Sequence, residues 1–145
     1  PRSTGDLFVL PLCAGMAIGR VGCFLAGLDD HTHGVATSLP WGVDFGDGVR
    51  RHPTQLYEIA VLGVIAFWAS RRTPARDGDL FKGFLLGYLA WRLAIELLKP
   101  EPRPYFGLSA IQVAALAGLA IYARHARRVF ASSVPARPRE TVEPA

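Results

Sequence analysis

Three ionisable side chains stand where an apolar sequence least tolerates them. Arg20 lies inside AIGRVGCFLAG at 17–27, and Arg92 and Glu96 stand four apart in GYLAWRLAIELLK at 87–99. At the centre of a membrane helix each such residue costs roughly 2.5–3.5 kcal/mol on insertion scales, so it marks a functional site by default. Helical spacing puts Tyr88, Arg92, Glu96 and Lys99 on one face, a polar stripe on an otherwise apolar helix. One use of that stripe is an ion pair that locks helices together. The other is anion binding: a guanidinium offers a planar fork of donors that matches a phosphate, and two arginines in so apolar a chain suggest an anionic headgroup.

A second group sits in RRHPTQLYE at 50–58. Pro53 suits the first turn of a helix, because its missing N–H has no helical partner there. Around it Arg51, His52, Gln55, Tyr57 and Glu58 bring a cation, an imidazole, an amide, a phenol and a carboxylate to one boundary, and the His52 imidazole is a residue type suited to proton transfer. Singly, each is also an ordinary interfacial residue. LDDHTHG at 28–34 offers Asp29, Asp30, His31 and His33, but residues two apart share a face only on a strand, so a polar loop is expected there and no metal. Gly15 and Gly19 form a GxxxG pair in a small-residue run with Gly22, Cys23, Ala26 and Gly27, which lets a helix or a lipid approach the backbone.

The elements that must position these groups are four apolar stretches, 7–28, 56–70, 84–98 and 108–123, in a chain that is 50% hydrophobic and 19% charged, with mean hydropathy +0.23. A membrane helix takes about 17–25 residues. The first stretch meets this directly, and the others do so if they begin near 53, begin near 80 and end near 125. The expected fold class is therefore all-α, a polytopic membrane helix bundle of about four transmembrane helices; the alternative is a soluble bundle of core helices. PWGVDFGDG at 40–48 reads as an extended segment with a turn at Gly46–Gly48, Trp41 lying at headgroup depth.

The net charge of +4 is a topology signal. If all four stretches span, ten of the 16 Lys and Arg residues, including Arg71, Arg72, Arg76, Lys82 and those of the tail, fall on one side. Arg50, Arg51, Lys99 and Arg103 fall on the other. The tail side is then cytoplasmic and the loops 29–53 and 99–107 face outward. Basic and aromatic residues do not interleave, so nucleic acid is not an expected partner. Cys13 and Cys23, about 15 Å apart on one helix at 1.5 Å per residue, are too far apart to bridge. The opening PRSTGD is not that of a signal peptide. The division expected is a membrane region, 1–130, and a Pro-rich polar tail, 131–145, that is disordered and cytoplasmic.

In order along the chain, GMAIGRVGCFLAGLDDHTHG at 15–34, PWGV at 40–43, RHPTQLYE at 51–58, GYLAWRLAIELLK at 87–99 and SAIQ at 109–112 together resemble the C-terminal half of bacterial prolipoprotein diacylglyceryl transferases. The resemblance implies a multi-pass enzyme of the bacterial inner membrane that uses no cofactor. Its partners would be phosphatidylglycerol, membrane lipids and a preprolipoprotein. The reaction implied moves the diacylglyceryl group of phosphatidylglycerol onto the lipobox cysteine thiol, and glycerol phosphate leaves. Arg20 matches the arginine of the family's GRxGNF signature and Arg92 that of its RxxxExxR helix. Both would hold the lipid phosphate and stabilise the departing charge, with Glu96 orienting Arg92 and His52 a candidate proton acceptor. Gly22, Cys23, Arg51, Gln55, Tyr57, Glu58, Lys99 and Gln112 would bind substrate.

The chain also departs from that pattern. Cys23 replaces the usual asparagine of the signature, Ala26 and Leu28 replace an asparagine and a glutamate, and Lys99 replaces an arginine. Ser109 and Gln112 are what remains of a serine-methionine-glycine-glutamine block. The family's N-terminal half carries a histidine-glycine-glycine motif that these residues do not contain, as in a C-terminal piece or a shortened relative. A non-catalytic relative that binds phospholipid headgroups or a membrane partner is the alternative function. A small transporter is a weaker third, since no pair of broken apolar segments is present.

Overall fold

The structure is a computed structural model that describes residues 4–74, 76–131 and 134–135. Four long helices coincide with the four apolar stretches: α1 (Gly5–Ala26), α2 (Thr54–Ser70), α3 (Asp79–Ile95) and α4 (Ala110–Ala131). Pro53 stands one residue ahead of α2 as its N-cap. α1 stops at Gly27, whose φ of 65° an L side chain rarely adopts, and passes into a 3-10 turn, Gly27–Asp30. α3 likewise ends in a 3-10 turn, Glu96–Leu98.

α1 and α2 form one antiparallel pair, α3 and α4 another, and α3 touches both partners of the first pair. The shared core is small and apolar: Val9 and Cys13 of α1, Leu62, Ile65 and Ala69 of α2, and Phe84 of α3. Tyr88 stacks on Phe84, ring centroids 5.7 Å apart and planes 5° apart, which carries the core toward the polar stripe. Between α3 and α2 the close approach requires glycine at Gly83, where a Cβ would strike the Trp68 ring.

The helices turn much of their apolar surface outward. Leu7, Phe8, Ile18, Leu25, Val64, Phe67 and Ile121 are all exposed, an arrangement that water would penalise over so large an area. α1 with its 3-10 turn is long and apolar enough to cross a membrane by length and composition; α2 is apolar but shorter. At 1.5 Å per residue, the 17 residues of α2 and of α3 reach about 26 Å.

The two ends of the bundle are tied differently. At one end the Asp6 carboxylate, beginning α1, accepts the backbone N–H of Gly78 (2.7 Å) and of Phe81 (2.9 Å) and so caps α3 from another helix. Arg128 of α4 pairs with buried Asp79 at 3.0 Å. Of the tail expected to be disordered, Ala131 ends α4 and Val134–Pro135 pair with Arg72–Thr73, and residues 132–133 and 136–145 lie outside the described residues. At the other end a hairpin of β1 (Val43–Asp44) and β2 (Arg50–Arg51) turns through Gly46 and Gly48, both at positive φ, as the turn residues of the sequence predict. Main-chain bonds then stitch the segment before it to the helices: Gly34 N–H to His52 O (2.9 Å) and Val35 N–H to Leu98 O (2.7 Å).

Candidate functional site

Glu58, one turn inside α2, is 2% exposed and is the hub of the site. Its Oε2 receives Arg20 Nε from α1 at 3.0 Å and faces Arg92 Nη1 from α3 at 3.5 Å. Its Oε1 accepts the Tyr88 hydroxyl at 2.8 Å. Three helices therefore converge on one carboxylate. The i,i+4 spacing on α3 turns Tyr88 and Arg92 to the same side, and the small residues of α1 leave Arg20 room to reach across.

A second carboxylate lies behind the first. Glu96 is fully buried; its Oε2 stands 3.6 Å from Arg92 Nη2, and its Oε1 accepts the Ser109 hydroxyl at 3.0 Å. Arg92 thus stands between Glu58 and Glu96, with one guanidinium nitrogen toward each. Lys99 is also buried, and burial, reinforced by the Arg92 and Arg20 guanidinium groups, pushes its ammonium below the ordinary lysine value. Arg20, Arg92 and Lys99 against Glu58 and Glu96 leave this half-dry cluster one positive charge in excess, and a low local dielectric makes such an excess felt.

Gln112, expected to bind substrate, caps a helix. Its Oε1 accepts the Ser109 backbone N–H (3.0 Å) while its own N–H donates to Ser109 Oγ (3.2 Å). This reciprocal capping box starts α4, and it fixes the Ser109 hydroxyl that Glu96 uses. The serine and glutamine three apart in SAIQ are its sequence signature.

The wall on the hairpin side is separately built. Buried Gln55 donates to Thr32 Oγ1 at 3.2 Å, and Thr54 donates to the Thr32 carbonyl. Gly34 is held so close to His52 that a Cβ there would lie 2.7 Å from His52 Cβ. The Tyr57 hydroxyl accepts Trp41 Nε1–H at 2.7 Å and lies 3.2 Å from His52 Nδ1. With the indole donating, the phenol satisfies all three groups by donating to Nδ1. Arg51, expected to bind substrate, is engaged elsewhere: its fork bonds both Asp47 oxygens at 2.7 Å across the hairpin turn. That fork holds the Asp47 carboxyl down to about 2. Of the histidine-aspartate segment, Asp30 accepts the Thr32 hydroxyl and His33 Nδ1 lies 3.2 Å from Gly34 O. Among the described residues no three potential metal ligands gather.

An open pocket of about 240 Å³, lined by Met16, Gly19, Arg20, Cys23 and Glu58, leads to the hub from the α1 side. Cys23 Sγ is 3.9 Å from Arg20 Nη1. Gly22 is exposed, and a Cβ built at Gly15, Gly19 or Gly22 would meet nothing within 4 Å. The glycines of α1 therefore leave one face of the helix bare at the pocket's mouth.

The structure thus brings Arg20, Arg92, Glu96, Glu58 and Lys99 into one cluster, sets Cys23 at its mouth, and keeps His52, Gln55 and Tyr57 on the adjoining wall. Tyr88 and Ser109 belong to the cluster too. Arginines within two apolar stretches already demand a carboxylate from a third, and Glu58 is the acidic residue that α2 offers.

A model of the prolipoprotein diacylglyceryl transferase family matches residues 2–126. The chain is 41% identical over 113 residues, 73% of its length, to the phosphatidylglycerol–prolipoprotein diacylglyceryl transferase of Cupriavidus necator. It is 40% identical over 110 residues, 72% of its length, to the protein of that name from Pseudoalteromonas atlantica, and 38% identical over 111 residues, again 72%, to that of Methylobacillus flagellatus. These matches cover 40%, 38% and 41% of the three relatives, so the chain spans well under half of their length. No solved structure is significantly similar to it.

Proposed function

Because the chain belongs to the prolipoprotein diacylglyceryl transferase family, we propose that it supplies the phosphate-holding part of an enzyme that moves diacylglycerol from phosphatidylglycerol to a lipobox cysteine of a preprolipoprotein. The observation that carries this reading is the convergence of Arg20 and Arg92 on Glu58, at 3.0 and 3.5 Å, beside an open pocket. Glu58 holds two guanidinium groups from different helices in place beside the pocket, so neither needs to reorganise as charge develops on an oxyanion there.

In the reaction the thiol sulfur forms a bond to the lipid's glycerol carbon, the carbon–oxygen bond to phosphate breaks, and glycerol phosphate departs with the electron pair. Arg20 and Arg92 stabilise the charge that accumulates on the leaving phosphate. Glu58 fixes both arginines, and Glu96 holds the far side of Arg92. The thiol proton passes to the outward wall, where His52 Nδ1 is reached through the Tyr57 hydroxyl. Four helices cross the bacterial inner membrane in this reading, with the hairpin end outward and the tail cytoplasmic.

The test is transfer of labelled diacylglyceryl to a lipobox peptide by the native protein in phosphatidylglycerol vesicles. Arg20→Ala and Arg92→Ala should each reduce it by at least about 100-fold, and Arg20→Lys should restore little, since a point charge replaces a fork. Wild-type rates in both alanine variants would remove the proposed roles. Binding of phosphatidylglycerol without any transfer would favour the headgroup-binding alternative.

A further inference from the structure

The Glu58 cluster lies toward the end of the bundle at which α3 stops. The end at which α3 begins holds another concentration of charge, which none of the roles above uses. Lys82, one turn into α3, and Arg128, near the close of α4, converge on a single oxygen of Asp79, with Lys82 Nζ at 3.4 Å and Arg128 Nη2 at 3.0 Å from Oδ1. Two cations thus share one carboxylate, itself 4% exposed, and the buried Arg128 Nε has no acceptor. One turn earlier on α4 stand Arg124 and His125. The charges of Arg124, Lys82 and Arg128 all act on the His125 imidazole, opposed by that of Asp79. Lys82, Arg124 and Arg128 against Asp79 leave two positive charges in excess. The neighbouring turns do not remove that excess: Arg71, Arg72, Arg76 and Arg127 add to it, and Asp6 and Asp77 are the further carboxylates among the described residues of this end. Asp6 is already engaged by the N–H groups of Gly78 and Phe81.

Apolar surface lies directly beside these cations. Ile121, Arg124 and Arg128 recur at helical spacing and share one face of α4, and Ile121, the deeper of them, is 62% exposed. At the close of α2 the Arg71 guanidinium lies 4.9 Å from the centroid of the exposed Phe67 ring. Exposed Phe130 of α4 packs on Trp68, ring centroids 5.8 Å apart. A soluble anion engages only the charged part of such a surface. A lipid engages both parts, its phosphate the cations and its chains the apolar face below them.

We infer that Lys82, Arg124 and Arg128 hold the phosphate of an anionic membrane lipid in the leaflet at this end, a second lipid site apart from the Arg20 pocket. It goes beyond the transfer reading and shares with it only the premise that the helices cross a membrane. The lipid supplies the negative charge that Asp79 alone does not, and ties α3 to α4. A zwitterionic headgroup is a poor substitute, because its own cation repels the cluster.

Thermal unfolding of the native protein in a neutral detergent, titrated with phosphatidylserine, tests this. A lipid that binds the folded form should raise the melting temperature by about 2–4 °C or more, and phosphatidylcholine with the same chains should not. Lys82→Gln combined with Arg124→Gln, in which Arg128 still pairs with Asp79, should raise the half-saturating lipid concentration by about 25-fold, at about fivefold for each basic residue. Arg103→Gln removes a cation from the opposite end and should leave that concentration within about twofold of wild type, the distance being beyond effective screening. Equal shifts from the two lipids, or a half-saturating concentration that the double variant does not move, would overturn the site. A shift of the same size from inorganic phosphate would overturn the lipid as the ligand. Arg20→Ala separates this site from the transfer reading: the shift should persist in it, and a shift lost there would place the lipid in the Arg20 pocket and overturn the second site.

Discussion

Glu58 joins more of the site than any other side chain, and its chemistry is unusual for its surroundings. In a chain read as crossing a membrane, an isolated carboxylate within a helix would be expelled or protonated. Here two guanidinium groups and a phenol satisfy it. Removing one member of a buried pair is more damaging than removing both, because the remaining charge keeps its desolvation cost. Glu58→Gln should therefore lower stability by about 3–5 kcal/mol and abolish transfer, since Arg20 and Arg92 would repel one another. Thermal unfolding in detergent together with the transfer assay checks both effects, and an unchanged melting temperature would show that the arginines are held by something else. Arg20, Arg92 and Glu96 are legible in the sequence because each interrupts an apolar run. The position of Glu58 at their centre is not, because its partners come from residues 38 before it and 30 to 34 after it, a proximity that only the packing of three helices creates. Arg51 shows the converse. Its residue type fits a phosphate as well as Arg20 does, but the hairpin turn places Asp47 four residues away and ready for both its donors.

At the scale of elements, the four helices follow directly from apolar runs of the right length. Their ends follow from local chemistry: glycine after α1, proline before α2, a serine-glutamine capping box before α4. The start of α3 does not. Its cap comes from Asp6, more than 70 residues earlier, and no spacing rule finds such a partner. Asp6→Ala should therefore destabilise the bundle by about 1–2 kcal/mol and speed hydrogen exchange in the first turn of α3, with transfer retained because the cap is at the opposite end from Arg20. Loss of transfer with normal exchange at α3 would assign Asp6 another task. The same end carries Arg128 on Asp79, so α1, α3 and α4 are registered there by polar side chains, while toward the opposite end the Glu58 cluster joins α1, α2 and α3 and backbone bonds tie on the loop.

For the whole molecule, alternating helices place the hairpin and residues 99–107 at one end and residues 71–74 and 76–78 at the other; the proposed reading makes the latter end cytoplasmic. Cysteine introduced at Asp47 should react with a membrane-impermeant maleimide in intact cells, and cysteine at Arg76 should react only after lysis; the reverse pattern would invert the topology. The hairpin end has a further property. Gly34 and Val35 hold the chain to α2 and α3 through main-chain atoms, which every residue except proline can supply. Around Val35 the frame of this loop thus depends little on which side chain it carries, whereas at Gly34 a methyl group has no space. That segment can drift in sequence, and with it the surface it presents, while the arginines beneath stay where they are.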